Sequence, residues 1–241
     1  MPPFRCSLFA PPKRIFSTLS ARLQQSPHHH DLPTFLAYAT GKELDPTSTV
    51  YVGTHYEYTV ASSLSRISMT LTRVGGRSDA GVDLLGHWHL PSTSPPYAPL
   101  PVLVQCKAFQ ASSNWSAIMR EMEGSLASAP RGWRKEGASG GAVGIVVGPR
   151  TATRGVRTTI ANSSWPLCWV MCETDGRLTQ VIWNGRAERL GLLGIGVGSK
   201  YLTTSEGVKE EVVLTWKGEE IAPRSEKKDD IEGDKGAEES K

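Results

Sequence analysis

The chain has 241 residues, 39% of them hydrophobic, and seven tryptophans, which suits one domain with a substantial core and excludes a wholly disordered protein. No run approaches the roughly 18 apolar residues needed to cross a bilayer. Four cysteines (Cys6, Cys106, Cys168 and Cys172) are too few and too irregular for a disulfide scaffold or a zinc ribbon, and the net charge of +3 is unevenly spread.

Residues 1–30 hold Arg5, Lys13, Arg14 and Arg22, scattered serines and no acid. That is the composition of an organellar transit peptide, without the continuous apolar segment of a secretory signal. Residues 1–32 are therefore read as a disordered mitochondrial transit peptide, with a matrix-peptidase cut after Phe16 as one placement, and 33–50 as a linker. A helix opens at Thr54, where Thr54 and Glu57 have the spacing of a capping box, and Tyr56, Val60, Leu64 and Ile67 recur at near-helical intervals. Alternation from Met69 to Val74 predicts a strand ending at Gly75-Gly76, and Val82–Trp88 a second. Five prolines between Pro91 and Pro101 predict a loop outside any ladder. Val102–Cys106 reads as a third strand. Asn114 caps a helix running to Ser128, with Trp115, Ile118, Met122 and Leu126 on one face. Ala142–Val147 is a buried strand, followed by a helix over 151–161 and two strands, Leu167–Cys172 and Leu178–Trp183, turned at Thr174-Asp175-Gly176. A short helix near Ala187–Leu190, a glycine-rich stretch and a β segment (Val212–Trp216) complete residues 51–221. This order predicts an α/β sandwich around a central mixed sheet. Residues 222–241, rich in Ser, Glu, Lys, Asp and Gly, predict a solvated, disordered charged tail. Without the two ends the charge is close to neutral, which argues against a nonspecific DNA coat protein and leaves room for a local basic cleft.

Asp79-Ala80-Gly81-Val82-Asp83 and Val104-Gln105-Cys106-Lys107 carry the chemistry. On a strand Gln105 and Lys107 share a face and Cys106 takes the other. A carboxylate from Asp83 and an amide oxygen from Gln105 are hard ligands of the kind Mg²⁺ takes, and Lys107 could stabilise developing phosphate charge.

These residues match a known pattern. Gly75-Gly76-x-x-Asp79-x-Gly81-Val82-Asp83-Leu84, then Gln105-Cys106-Lys107, after a helix glutamate and before a second helix, resembles the PD-(D/E)xK nuclease superfamily, and within it the Mrr-like restriction endonucleases with Gln-x-Lys in place of Glu-x-Lys. More narrowly, Gly53-Thr54-x-Tyr56-Glu57-Tyr58-Thr59-Val60, Leu84-Leu85-Gly86, Arg120-Glu121-Met122-Glu123-Gly124 and Trp183-Asn184-x-Arg186-Ala187 resemble the fungal mitochondrial "required for respiratory growth" family. The likeness spans Tyr51 to Tyr201. It implies a restriction-endonuclease-like three-layer sandwich, with a central mixed β-sheet flanked by helices. It also implies metal-dependent phosphodiester hydrolysis on DNA or RNA in the mitochondrial matrix, in a protein needed for respiratory growth. Asp83, Gln105 and Glu57 would hold Mg²⁺ (or Mn²⁺), and Lys107 would be the catalytic lysine. Restriction-type relatives often act as dimers, so a homodimer is open to this chain, although the sequence carries no interface signature.

Plainer readings stand beside these. Glu57 has a capping role available, and Asp83 with Lys107 could form a structural ion pair, since an unpaired buried charge is costly. Glu121 and Glu123 suit a solvated pair, and His87 and His89 lack a third partner for zinc. Arg150, Arg154 and Arg157 would form a basic stripe on a helix, either solvated or set against a phosphate backbone. The neutral Gln105 allows a weakened enzyme that binds nucleic acid or protein in mitochondrial genome maintenance or expression. A third reading is an interaction module presenting exposed Trp115, Trp133 and the Pro-rich loop.

Overall fold

A computed structural model describes residues 26–74, 81–91, 99–108, 114–129, 133, 141–204 and 207–223. The expected cut after Phe16, Asp79 and nearly all of the charged tail lie outside these residues. Within 33–50, read above as a linker, the chain forms helix α1 (Leu32–Gly41), started by Asp31, whose carboxylate accepts from the Thr34 amide. His29, inside the stretch assigned to the transit peptide, is buried and meets Tyr58, with Nδ1 2.7 Å from the phenol oxygen. The short apolar face of α1 (Phe35, Ala39) has too little periodic sequence to be distinguished from a linker, and Leu44, Tyr51 and Tyr58 complete its cluster.

Helix α2 (Thr49–Ser65) begins five residues before the expected start. Ser48 is its cap, accepting from the Tyr51 amide at 3.2 Å. Thr54 and Glu57 therefore lie inside the helix, where no orphan amide needs them, and the capping-box reading of Glu57 falls. Strands β1 (Met69–Arg73), β2 (Leu84–Trp88) and β3 (Leu100–Cys106) form an antiparallel meander. Pro101 does enter the ladder, opposite His87. Its missing N–H costs nothing there, because pairing of β3 with its other neighbour starts only at Val102. Helix α3 (Trp115–Ser128), capped by Asn114 as expected, leads to β4 (Val143–Gly148), which runs parallel to β3. Helix α4 (Arg154–Asn162) follows, capped by Thr153. Then come β5 (Leu167–Cys172), parallel to β4, and β6 (Leu178–Trp183), antiparallel to β5. The six strands lie in sequence order in one mixed sheet.

Alternation along the strands loads both faces. Val102, Val104 and Cys106, Val143, Ile145 and Val147, and Cys168 and Val170 join α2 in one core. Leu103, Val146, Leu167 and Trp169 join α3 and α4 in a second core on the opposite face. Trp115 belongs to this second core, edge-on to Trp169 with ring centroids 5.0 Å apart, so it is not the exposed docking residue of the third reading. Trp133 is half-buried. After helix α5 (Gly185–Ala187) and an irregular turn, a second antiparallel sheet is formed by β7 (Ile195–Thr204), β8 (Gly207–Trp216) and β9 (Glu219–Glu220). The glycine-rich stretch hid β7. Gly196 and Gly198 stand against Thr215 and Val213 of β8, so cross-strand pairing supplies what strand propensity lacked. Val212 and Leu214 then pack the small sheet onto the core on the α2 face.

Candidate functional site

The site residues gather where β1, β2 and β3 end side by side. Asp83 directly precedes β2, its amide donating to the Val104 carbonyl at 2.9 Å and its carbonyl accepting from Val74 at 2.8 Å. Its carboxylate accepts the Cys106 amide at 2.6 Å, which pins the side chain to the end of β3. Lys107, half-buried, continues beside β4, donating its amide to the Val147 carbonyl at 2.9 Å.

Glu57 projects from α2, whose neighbours Tyr56 and Val60 belong to the core on that face. Its carboxylate pairs with Arg73, and both side chains are only 14% exposed. The same guanidinium lies over the Tyr58 ring, 5.6 Å from its centre, and approaches the Thr54 hydroxyl at 3.5 Å. Cys106 reports the electrostatics. Burial pushes its thiol well up, and Asp83 and then Glu57 push it further, with Lys107 opposing. Asp83, Glu57 and Lys107 thus all act electrostatically on one buried thiol.

Gln105 takes the strand face opposite Cys106. Leu103, two residues earlier on the same strand face, belongs to the α3–α4 core, and Gln105 is 2% exposed. A Cβ on Gly81 would come 3.2 Å from its Nε2 and 3.8 Å from Ser125 Oγ of α3. Gly81 has φ +75°, so glycine both suits the turn and leaves room for the amide. Gln105 Oε1 is buried without a hydrogen-bond partner among the described residues. The sheet therefore separates Gln105 on the α3 side from Glu57 on the α2 side.

This arrangement fits one divalent ion poorly. Gln105 leaves the α3 face of the sheet and Glu57 lies on the α2 face, where it already pairs with Arg73. Among the described residues no three His, Cys, Asp or Glu side chains come together as a metal would require. Counting Glu57, Asp83, Arg73 and Lys107, the local formal charge is zero, whereas Mg²⁺ is held by anionic oxygens. No chemical step is therefore routed through a metal here.

Arg73 is the residue that sequence reasoning missed. A signal was present, since Arg73 shares a strand face with Met69 and Leu71, which pack in the α2-side core. A cation on an apolar face needs a carboxylate. His87 is a ring neighbour of Trp133 and His89 Nε2 lies 3.1 Å from the Thr70 hydroxyl, so these two histidines have local roles.

The family described as Required for respiratory growth protein 7 matches residues 48–98 and 92–198, the span that holds α2, the six-stranded sheet and every residue above. The chain belongs to this family. The Required for respiratory growth protein 7 of Saccharomyces cerevisiae is 29% identical over 60% of this chain and 76% of its own length. An uncharacterized mitochondrial protein of Schizosaccharomyces pombe is 30% identical over 66% of this chain, and the chain spans 61% of that relative. A Required for respiratory growth protein 7 from Zygosaccharomyces rouxii is 33% identical over 34% of this chain. No solved structure matches. The protein is mitochondrial and, as a member of the Required for respiratory growth protein 7 family, serves respiratory growth. No helix among its described residues is long and apolar enough to cross a membrane.

Proposed function

We propose that the protein acts in the mitochondrial matrix as a nucleic-acid-binding factor on a restriction-endonuclease-like frame, with an internal cation where a PD-(D/E)xK enzyme would use a metal. The observation that carries this reading is the Arg73–Glu57 pair. The guanidinium charge is permanent and bonds the helix carboxylate that a second ligand would need to be. The meander followed by a helix and a parallel strand, with Asp83 opening β2 and Lys107 closing β3, supports descent from a phosphodiesterase. Lys107 then serves as a phosphate contact beside Asp83, and binding and positioning replace hydrolysis. The respiratory requirement follows from mitochondrial genome maintenance or expression.

A second reading, metal-dependent phosphodiester hydrolysis, draws on one observation. Gln105 Oε1 is buried without a partner, as an oxygen awaiting Mg²⁺ or Mn²⁺ would be. Asp83 and Gln105 are the metal ligands of that reading and Lys107 its catalytic lysine.

One experiment separates them. Purified protein is mixed with labelled DNA and RNA, with and without Mg²⁺ or Mn²⁺, and both retention and cleavage are scored for wild type, Asp83→Ala and Lys107→Ala. Metal-independent retention weakened by Lys107→Ala, with no cleavage, is expected. Metal-dependent cleavage abolished by both changes would replace binding with catalysis. An absence of any retention would overturn both.

A further inference from the structure

Among the described residues three arginines make ion pairs: Arg73 with Glu57, Arg66 with Glu211 at 2.6 Å and Arg177 with Glu173 at 2.6 Å. Arg150, Arg154 and Arg157 differ. All three are exposed, and none makes an ion pair among the described residues. Between Glu136 and Glu173 the sequence has no acid at all.

Their placement differs from the helical stripe expected from spacing. Helix α4 starts at Arg154, with Thr153 as its cap, so Arg150 lies in the segment between β4 and the helix. Arg154 and Arg157 occupy the first turn, where both are exposed. The patch also joins the site. Val147, whose carbonyl holds the Lys107 amide, is three residues before Arg150, a reach of at most about 10 Å along the backbone. The first turns of α3 and α4 touch, since a Cβ on Gly155 would come 2.7 Å from Ser116 Oγ, and neither turn carries an acid. All of this lies beyond the carboxyl ends of the parallel strands β3 and β4, where ligands of open α/β sheets gather.

We infer that Arg150, Arg154 and Arg157 form a track for the phosphate backbone of a nucleic acid, leading to Lys107 and Asp83; this rests on the nucleic-acid reading above. Three exposed guanidiniums without carboxylates contact phosphates without reading bases. The track therefore sets affinity and salt dependence and leaves sequence preference unchanged.

The test uses the full chain, with a short DNA duplex and the RNA of the same sequence as probes, across a salt series. Arg150→Gln/Arg154→Gln/Arg157→Gln should weaken binding to several sequences alike and flatten the log affinity against log salt slope by about 2–3, at about 0.9 per lost contact on B-DNA. The matching triple lysine variant should retain most of the slope, because charge is what counts. The exposed positions predict unchanged thermal unfolding for both variants, which controls for folding. Unaltered affinity and slope in the glutamine variant, with wild type binding normally, would overturn the track and leave the nucleic-acid reading standing. A wild type that binds neither probe would remove that reading itself. Arginine-dependent binding to cardiolipin-containing vesicles without nucleic-acid binding would assign the patch to a membrane surface and overturn the inference.

Discussion

Replacing Arg73 with methionine tests the internal cation directly. The change keeps most of the side-chain stem and removes the charge, leaving the Glu57 carboxylate, 14% exposed, without its main counter-ion. Breaking a buried pair this way costs about 3–5 kcal/mol, and the residual exposure places this case near about 3 kcal/mol, including lost stacking on Tyr58. In a chain of this size about 3 kcal/mol lowers Tm by roughly 6–12 °C. Glu57→Gln/Arg73→Met should recover much of that, because the neutral amide no longer needs a cation. Thermal unfolding followed by circular dichroism reads all three proteins. Adding Mn²⁺ supplies a second arm: it should leave the wild-type Tm unchanged, because Glu57 is paired with Arg73. A loss below about 1 kcal/mol in the single variant, or a double variant worse than the single, would refute the pairing argument. A wild-type Tm that rises with Mg²⁺ or Mn²⁺ would refute the replacement of metal by arginine.

Gly86→Ala should destabilise strongly, since a Cβ there would stand 1.9 Å from the Thr70 carbonyl oxygen, a backbone atom of the neighbouring strand. A loss of about 3 kcal/mol, seen as a lower urea midpoint with unchanged slope, is expected. His29 makes stability depend on pH, because burial and then the nearby Arg73 hold its folded-state pKa below the ordinary 6.5. The unfolded chain therefore binds more protons than the native one as pH falls below 6.5, and stability declines through that window until the folded pKa is passed. His29→Gln should remove this component in urea titrations across that range. Cys106, Cys168 and Cys172 are buried, and burial raises all three thiols, Cys172 to about 11. Iodoacetamide should label them only on unfolding; rapid labelling of native Cys106 would show that the site opens to solvent.

Much of the frame was legible because its signals are local. The Asn114 cap, the valine run of β4 and the turn at Asp175-Gly176 are each encoded within a few residues, and each occurs where the sequence places it. The start of α2 was misplaced because Thr54 and Glu57 happen to have capping spacing, while Ser48 carries the cap from outside the periodic pattern. Strand β7 was illegible because its stability resides in β8, far from anything a short window reads.

The sequence by itself determined the family and the candidate residues: Asp83, Gln105 and Lys107 in order, after a helix bearing Glu57, in a frame of alternating strands and periodic helices. Only the tertiary structure decided which of them meet. Alternation shows that Gln105 and Cys106 take opposite faces, but which face holds α2 depends on packing between distant segments. That packing sets Cys106 in the core on the α2 side and places Gln105 against Gly81 and Ser125 on the other. It also brings Arg73, sixteen residues from Glu57, onto its carboxylate. A charge pair formed across a helix and a strand follows from three-dimensional proximity, and no spacing rule in one dimension encodes it.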